Sequence, residues 1–542
     1  MVDTEKKTAD TVTGPASAPT LPAKLFGIHS PRHKMTVMIF LFIFFIPSFA
    51  FADVSTDIPL ENPIYKNIER LSNIGVFRDD IQSIRPITLD RLKRMVDEVR
   101  AQDMRNEIIR QDLQVLRHFL DAEYKKNTLL GGFEITFLKS NARPTQNLQT
   151  ASYSNPLLNT KDQGKFQWQS DALWIQPRLS FNWDGWAAFD LQPSFGVEEN
   201  GTSQVSKDTA HMQVAQLKLG RNDLEISAGR MPIQWGQGIS GGLTFGGSQK
   251  SLNMIQIRNS NPIVPPSFLK FLGPTQFSGF VAQLDDNQVY GESLVIGERG
   301  VIKPLPILEM GFTQSIQLAG DGAPDLSFVD VVSEVAGRRL QDIFSVNLTN
   351  RNFSADLSIK IPQLHYMTIY TEVFFEDCCK ILFTRDTSKL IGIKFPDLWK
   401  SAGALSMEYV LTTEIYNRHG RYTSGFVNRG YPMGHLLGPD AQGYYLRYHH
   451  VVNSTLELDW VNAYEMRARN ELDLDSEDIR NIVPTFEKPE ERIRSTVKFE
   501  KKWSERCWSA VETGYEKIWN SQFQQDENKN NYLVRVDHGF SF

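Results

Sequence analysis

The chain ends at Asn531–Phe542 with the sequence N-Y-L-V-R-V-D-H-G-F-S-F. In an extended chain, one face would carry Tyr532, Val534, Val536, Phe540 and Phe542, and the other would carry Leu533, Arg535, Asp537 and Ser541. A period of two residues is typical of a β-strand. Only His538 interrupts the apolar face. The ending therefore predicts a strand that separates an apolar from a polar environment.

The terminal Phe542 favours one class of protein over others. In outer-membrane β-barrels the last strand pairs with the first and commonly ends in an aromatic residue, and this terminus resembles that assembly signal. A soluble sheet could end in the same way, so the upstream sequence has to decide between the two.

The front of the chain carries an export signal. Residues 38–52 read M-I-F-L-F-I-F-F-I-P-S-F-A-F-A, preceded by Arg32 and Lys34, and this pattern predicts a signal peptide cleaved before Asp53. A membrane anchor is the alternative, but the run is shorter than the ~20 residues that a spanning helix needs. Residues 1–33 are hydrophilic, so translation could also start at Met35 or Met38.

Composition narrows the possible functions. The 542 residues are 41% apolar and 11% aromatic, yet no later stretch is apolar enough for a membrane helix. A β-barrel disperses its apolar residues by alternation, so this composition still allows membrane insertion. The net charge of −6 gives no indication of nucleic-acid binding. Cys378 and Cys379 are adjacent, so at most one ordinary disulfide, with Cys507, is plausible, and none is required.

Residues 53–127 are predicted to form a small helical bundle. Asn62-Pro63 starts a helix that ends at Gly75, Thr88 caps a second helix, and a third continues through Leu113. The first part of this region also resembles an S-layer homology repeat, a module that holds cell-wall polymers. The other interpretation is a packed plug or lid beside the barrel.

Residues 128–542 are predicted to form the barrel, and from Gly131 onward the period changes from helical to alternating. About eighteen segments of roughly ten residues can be counted, which is the length that a tilted strand needs to cross a bilayer. Clear examples are 173–183, 405–415, 455–464 and 493–503. Trp and Tyr recur near segment ends, as expected of an aromatic girdle. The sequence predicts an all-β transmembrane barrel of about 18 antiparallel strands with a small N-terminal α-helical bundle.

Five long polar insertions interrupt the strands, at residues 141–165, 236–275, 319–341, 420–442 and 470–490. Outer-membrane barrels have short periplasmic turns and long extracellular loops. The five insertions are therefore predicted to lie on the outer face, and function is expected there or in the lumen.

Two stretches stand out as motifs. Residues 229–247 read G-R-M-P-I-Q-W-G-Q-G-I-S-G-G-L-T-F-G-G, and residues 429–440 read R-G-Y-P-M-G-H-L-L-G-P-D. Together with the signal peptide, the helical region and the terminal Phe, these motifs resemble the capsule assembly protein Wzi family. The resemblance implies an outer-membrane barrel of about eighteen strands, a helical bundle on its periplasmic side, and lectin-like binding of surface polysaccharide.

The motifs supply the candidate site residues. Glycines allow close backbone approach and positive φ, and Trp235 could stack on a sugar ring. Arginines could pair with uronate or other acidic groups of a polymer. The candidate polysaccharide-binding residues are Arg230, Trp235, Arg258, Arg429, His435 and Asp440. In the alternative interpretation, the glycines only form turns and the arginines line a solvated lumen with carboxylate partners.

The predicted function is the anchoring of capsular polysaccharide or exopolysaccharide at the cell outer membrane. Expected partners are surface polysaccharide, outer-membrane lipid and the polysaccharide export machinery, with no nucleic acid, cofactor or metal. A sugar-permeable porin is the main alternative. An enzyme is not expected, and the adjacent His449 and His450 would face opposite sides of a strand and could not chelate one metal together.

Overall fold

The structure is a computed structural model, and it describes most of the chain after residue 53. The described residues are 54–100, 102–103, 106–142, 145–146, 150, 153–154, 157, 172–198, 210–221, 223–286, 288–335, 348–376, 387–398, 403–453, 455–468 and 488–542. The predicted signal peptide and the first two cysteines, Cys378 and Cys379, lie outside these residues. The cleavage before Asp53 therefore stays a prediction, and pairing of Cys378 or Cys379 with Cys507 stays open.

The polypeptide forms a closed antiparallel barrel of eighteen strands. In chain order they are β1 Leu129–Ser140, β2 Ala172–Trp183, β3 Ala187–Glu198, β4 Ala210–Arg221, β5 Leu224–Met231, β6 Leu252–Asn259, β7 Thr275–Gln283, β8 Leu294–Leu305, β9 Leu308–Leu318, β10 Asn350–Ile361, β11 Met367–Glu376, β12 Ser388–Leu398, β13 Gly403–Thr412, β14 Ala441–Asn453, β15 Leu456–Arg467, β16 Glu490–Ser504, β17 Cys507–Trp519 and β18 Lys529–Ser541. Each strand pairs with its neighbours in the chain, and β18 pairs with β1. The predicted fold class and strand number are confirmed.

The alternation along each strand separates lipid-facing from luminal side chains. In β18, Val534 and Val536 are 40% and 39% exposed, whereas Leu533 and Asp537 on the other face are each 1% exposed. Other exposed apolar side chains continue the outer belt around the barrel; examples are Phe133, Phe137, Leu179, Leu191, Leu217, Phe277, Phe312, Ile391, Trp460, Phe499 and Val511. Exposed apolar area on this scale is typical of a surface covered by lipid.

The carboxy terminus closes the barrel through a backbone pair and an aromatic contact. The Phe542 N–H donates to the Gly131 carbonyl at 2.8 Å, and the Gly131 N–H donates back at 3.0 Å. The Phe542 ring lies over Gly131, where a Cβ atom would be 2.4 Å from the ring. His538 lies on the exposed face and contacts Ser509 Oγ at 2.9 Å. The last residue is thus part of the closing seam.

Among the described residues before the barrel, three helices lie close to the predicted positions. They are α1 Ile64–Ile74, α2 Leu89–Asp97 and α3 Glu107–Glu123. Gly75 ends α1 with φ 86°, and Thr88 Oγ1 accepts the Arg91 N–H at the start of α2. The helices share a core that includes Ile68, Leu92 and Leu116. A further helix, α4 Phe328–Val335, lies between β9 and β10.

Ion pairs tie this helical region to the lumen wall. Asp57 contacts Arg258 of β6 at 2.5 Å and Lys218 of β4 at 2.7 Å, and both cations also reach Glu225 of β5. Burial would raise the pKa of Asp57, but the charges of Arg258 and Lys218 outweigh burial and hold that pKa below its ordinary value. Lys66 of α1 adds an ion pair with Asp459 of β15. The region is attached at opposite sides of the barrel.

The two ends of the barrel differ in the length of their connections. At the end that carries the helical region, most turns span a few residues, for example 184–186, 306–307 and 505–506. We call this the short-turn end, and the opposite end the long-loop end. Among the described parts of the five predicted outer insertions, residues 319–335 and 420–440 lie at the long-loop end. Most of the insertions at 141–165 and 470–490 lies outside the described residues. No described helix is long and apolar enough to cross a membrane.

The prediction for residues 236–275 is wrong. These residues do not form one insertion, because β6 divides them into a loop at the long-loop end and a connection at the short-turn end. The luminal face of β6 carries Gln256 and Arg258, which gave this stretch a polar sequence. A strand that faces a charged lumen can resemble a loop in sequence.

Replacing Gly131 with Val should displace the Phe542 ring and weaken closure. We expect a smaller folded fraction, measured as the species that changes electrophoretic mobility on boiling, and a similar loss after deletion of Phe542. Gly300→Val in β8 is the control, because a Cβ atom at Gly300 would meet no atom within 4 Å. Normal assembly of the Gly131 variant would show that the terminal ring contributes nothing to closure.

Replacing Asp57 with Asn should loosen the helical region, because it leaves two buried cations with one shared carboxylate. Removal of one partner from a buried ion pair costs about 3–5 kcal/mol. Since the folded pKa of Asp57 is depressed, its contribution to stability is complete above the ordinary carboxyl pKa, and is lost as pH falls through the folded value. Faster hydrogen exchange in α1 and α2, read by mass spectrometry, is the expected result. Asp121→Asn, at an exposed position of α3, should exchange at the wild-type rate.

Candidate functional site

The glycine-rich motif folds into the lumen and does not extend outward. Three segments meet there, namely residues 81–85, 232–251 and 426–437, and we call them the plug. Ile84–Arg85 pairs with Gln234–Trp235 as a short antiparallel ladder, and the Gly246 N–H donates to the Met433 carbonyl at 2.8 Å. The two sequence motifs and the helical region therefore come together inside the barrel.

Glycine is required where plug backbones approach closely. A Cβ atom at Gly242 would lie 2.0 Å from the Trp235 carbonyl oxygen, and Gly236 has φ 96° with the Glu372 carboxylate 2.6 Å from its Cβ position. Both features match the expectation of close approach and positive φ. The glycines of the motif serve packing of the plug.

Trp235 is a core residue of the plug. Its side chain is 1% exposed, and its ring lies 4.9 Å from Phe245 and 5.4 Å from Phe280. The surrounding apolar cluster includes Ile84 of the helical region and Met433 of the second motif. Protein atoms cover the ring faces, so Trp235 has no free face for a sugar.

Three glutamates of the lumen wall accept backbone N–H groups of the plug. Glu408 of β13 accepts the N–H groups of Ile239 and Ser240 at 2.8 and 3.0 Å. Glu372 of β11 accepts the Leu243 N–H at 3.0 Å. Glu309 of β9 accepts the N–H groups of residues 82 and 83, both at 3.2 Å. Loop backbone inside a barrel needs such partners, because unpaired buried N–H groups are costly.

Three lysines on the alternate strands β8, β10 and β12 donate hydrogen bonds to backbone carbonyls. Lys303 of β8 donates to the Asp80 carbonyl at 2.6 Å, and Lys360 of β10 donates to the Ser72 carbonyl at 2.6 Å. Lys394 of β12 donates to the Gln237 carbonyl at 3.0 Å. From β8 to β13 the wall thus alternates donors and acceptors for the backbone of the helical region and the plug.

His435 belongs to a buried polar chain. Its Nδ1 accepts the Leu437 N–H at 3.3 Å, and burial lowers the pKa of His435 to about 4, so the ring is neutral near pH 7. Nε2 then carries the proton and donates to Ser240 Oγ at 2.8 Å, and the Ser240 hydroxyl donates to Glu408. This series of hydrogen bonds joins the second motif, the glycine-rich motif and the barrel wall.

The remaining candidate residues lie apart from one another. Arg258 is buried near the short-turn end, where it holds Asp57. Arg230 is half-buried and lies near the long-loop end of β5, where it is in register with the exposed Asn253 of β6. Asp440 is 5% exposed, and its N–H donates to the Thr413 carbonyl. The six candidates do not form one site.

Arg429 has the most accessible position of the candidates in the second motif. It is half-buried at the tip of a hairpin that pairs Val427–Asn428 with Tyr431–Pro432. Arg429 and Gly430 have φ values of 53° and 80°, which is the backbone of a type I′ turn. The hairpin belongs to the connection 413–440 at the long-loop end.

A cationic and aromatic surface is formed by the same connection and the loop between β7 and β8. We call it the outer patch, and its half-buried members are Tyr290, Arg418, His419 and Arg421. The buried ring of Tyr422 supports the patch, with its centroid 5.2 Å from Tyr290 and 5.6 Å from His419. The Val289 N–H donates to Ser424 Oγ at 2.8 Å, which fixes the connection against the loop between β7 and β8.

The side of the lumen that the plug leaves unfilled holds a cavity of about 670 Å³. It lies between α1 and α3 on one side and β14–β18, β1 and β2 on the other. Residues 503–506 and Trp508 line it at the short-turn end. Arg447, Lys498 and Lys502 are 27–28% exposed there, whereas the carboxylates that pair with them are at most 10% exposed. Among the described residues, no group of three His, Cys, Asp or Glu is placed to hold a metal ion.

Sequence reasoning missed the wall glutamates and lysines and the outer patch. Glu408 stood in the segment 405–415, which was identified as a strand, and its inward-facing charge was a signal that a group in the lumen needed a partner. The outer patch had a weaker signal, because Arg418, His419 and Arg421 lie at the edge of an insertion with no distinctive spacing.

Replacing Trp235 with Ala should open a void in the plug. Truncation of a buried Trp costs about 3–5 kcal/mol. We expect little steady conductance from the wild-type barrel in planar bilayers and frequent open events from the variant. Trp186→Ala is the control, since Trp186 is 57% exposed. Equal conductance of Trp235→Ala and wild type would show that Trp235 does not hold the plug closed.

Comparisons with known proteins agree with this architecture. Residues 138–533 match the family described as capsule assembly protein Wzi. An uncharacterized 55.8 kDa protein in the cps region of Klebsiella pneumoniae is 26% identical over 100 residues, which cover 18% of this chain and only 20% of that relative.

A solved structure shows the same fold. The Escherichia coli protein Wzi, described as an outer-membrane protein involved in group 1 capsule assembly and as a carbohydrate-binding β-barrel, superimposes with a TM-score of 0.67 at 17% identity, over 90% of this chain and 99% of that one. OprD from Pseudomonas aeruginosa gives a TM-score of only 0.45 at 10% identity, over 78% and 96% of the two chains. Because the family match covers most of the sequence, the chain belongs to the capsule assembly protein Wzi family.

Proposed function

We propose that the protein anchors capsular polysaccharide or exopolysaccharide at the cell surface. In this arrangement the barrel crosses the outer membrane, the long-loop end faces outward, and the helical region of residues 53–127 faces the periplasm. Family membership and the described carbohydrate binding of the Escherichia coli barrel support the proposal. The polymer, outer-membrane lipid and the polysaccharide export machinery are the proposed partners.

The observation that carries the proposal is the filled lumen. Between β5 and β15 the interior contains two apolar clusters in which plug residues such as Trp235 and Leu243 pack against wall residues such as Phe280 and Tyr370. A sugar-permeable porin needs a continuous aqueous path, and these clusters occupy the path on that side. A barrel filled in this way is suited to holding a ligand at its surface.

The outer patch is the proposed contact surface for the polymer. Arginine donors match carboxylates or other acidic groups of a polysaccharide, and the Tyr290 ring offers an apolar face. Arg429, in the same connection, is a further candidate. A single site of millimolar affinity is worth about 4 kcal/mol. A polymer that contacts many copies at once can be held firmly through multivalency.

An enzymatic function fits the geometry less well. The chain Ser240–His435–Glu408 contains the residue types of a hydrolase triad, but Nε2 of His435 donates its proton to Ser240 Oγ and so cannot accept one from it. Catalytic serines need the opposite direction of transfer. Ser240 is also only 4% exposed. The arrangement supports a structural role for these residues.

Loss of the protein should leave polymer synthesis intact and shift polymer from the cell surface into the medium. Replacing both Arg418 and Arg421 with Ala should reproduce this shift, because a charge-assisted hydrogen bond contributes about 1.5–3 kcal/mol per site and the loss repeats along the polymer. The measurement is the ratio of surface-bound to released polymer, together with binding of the purified barrel to the producer's own polysaccharide and to a neutral glucan.

Arg110→Ala is the matched control, since Arg110 is an exposed arginine of α3. It should retain wild-type binding, and every variant should retain a heat-modifiable barrel. If a deletion strain stopped making polymer, or kept all of it on its surface, the anchoring function would be wrong. If anchoring persisted in the double variant, the polymer would contact a different surface.

A further inference from the structure

The connection between β6 and β7, residues 260–274, is exceptional at the short-turn end. Connections such as 184–186, 306–307 and 505–506 join neighbouring strands there in a few residues. Residues 260–274 read S-N-P-I-V-P-P-S-F-L-K-F-L-G-P and contain a 3₁₀ helix at Ser267–Leu272. Strand pairing alone does not need this length, because β6 and β7 are adjacent and antiparallel.

The connection exposes large apolar side chains. Phe268 is 80% exposed, Phe271 is 68% exposed and Val264 is 56% exposed. In a 3₁₀ helix, side chains three residues apart lie on the same side, so Phe268 and Phe271 form one aromatic edge. Lys270 lies between them and is also exposed. We call these four residues the foot.

The base of the foot is fixed to the barrel. The N–H groups of Ile263 and Thr275 each donate to the carbonyl of the other, at 2.9 and 2.8 Å, and the Lys303 N–H donates to the Pro274 carbonyl at 2.9 Å. The Asn259 side chain donates to the carbonyls of residues 261 and 275. The aromatic edge is therefore held in the exposed position by a bonded scaffold.

The foot continues the lipid-facing surface of the barrel. Leu305 and Ile307, at the neighbouring turn between β8 and β9, are 51% and 41% exposed, and Phe277 on the outer face of β7 is 43% exposed. An aromatic edge with an adjacent cation suits the boundary between acyl chains and headgroups, where aromatic rings and lysines concentrate.

We propose that the foot inserts into the membrane leaflet at the short-turn end and binds phospholipid there, with the two rings in the interfacial region and Lys270 at anionic headgroups. The contact is independent of polysaccharide binding at the outer patch. It would fix the depth and tilt of the barrel on one side, because the foot lies beside β6–β8 only.

Site-directed photo-cross-linking tests the occupant of this surface. Photoreactive p-benzoylphenylalanine is placed at position 268 of the full chain, the protein is assembled in native outer membranes, and adducts are identified by mass spectrometry after illumination. We expect phospholipid adducts at a yield within about threefold of the same probe at Phe277, a lipid-facing position of the barrel wall. The same probe at Glu505, in an exposed turn of the same barrel end, should give a yield about tenfold lower.

Other outcomes would overturn the proposal. A protein adduct at position 268 would identify a periplasmic partner or a second copy of the chain, and a yield equal to that at Glu505 would place the foot in water. Lys270→Glu, combined with the probe at 268, should lower the yield of adducts in vesicles that contain phosphatidylglycerol and leave it unchanged in vesicles of phosphatidylcholine alone. If Lys270→Glu left the adduct yield unchanged in both kinds of vesicle, Lys270 would not contact anionic headgroups.

Discussion

Backbone hydrogen bonding inside a closed barrel is the constraint on which this structure depends. The strands satisfy one another around the closed wall, but loops that enter the lumen bring N–H and C=O groups with no sheet partner. Glu309, Glu372 and Glu408 accept the N–H groups, and Lys303, Lys360 and Lys394 bind the carbonyls. With these contacts the glycine-rich loop can pack as a core. The lumen is then filled on that side by the plug and the side chains that pack against it.

The lumen is divided into two halves of different character. The side lined by β5–β13 is packed around two apolar clusters, whereas the side lined by β14–β18, β1 and β2 holds charged side chains around a cavity. In the second half, ion pairs such as Arg494 with Glu465 and Arg535 with Asp537 run between or along strands. Buried ion pairs contribute little net stability but are costly to break. They keep the charged half in one arrangement without filling it.

Sequence reasoning could predict the parts of the fold that depend on local pattern. The alternation around Val534 and Asp537 predicted the two faces of β18. The capping residues Thr88 and Gly75 indicated where helices begin and end. Sequence reasoning failed where the role of a residue depends on which side chains contact it in the lumen. Arg258 and Trp235 looked like ligands for a polymer, but Asp57, 201 residues before Arg258, pairs with the arginine, and Phe280, on a separate strand, packs against the Trp235 ring. The division of residues 236–275 by β6 was missed for the same reason, since its polar luminal face has no signature of its own.

The attachment of the plug also determines how the molecule would carry a mechanical load. The connection 413–440 carries the outer patch at one end and enters the plug at residues 426–437, where Gly246 bonds to Met433 and His435 bonds through Ser240 to Glu408. A pull on the outer surface, such as viscous drag on a bound chain, would reach the wall through several strands at once. Each hydrogen bond would bear a fraction of the tension, and the barrel wall, whose closed ladder resists shear, would bear the rest.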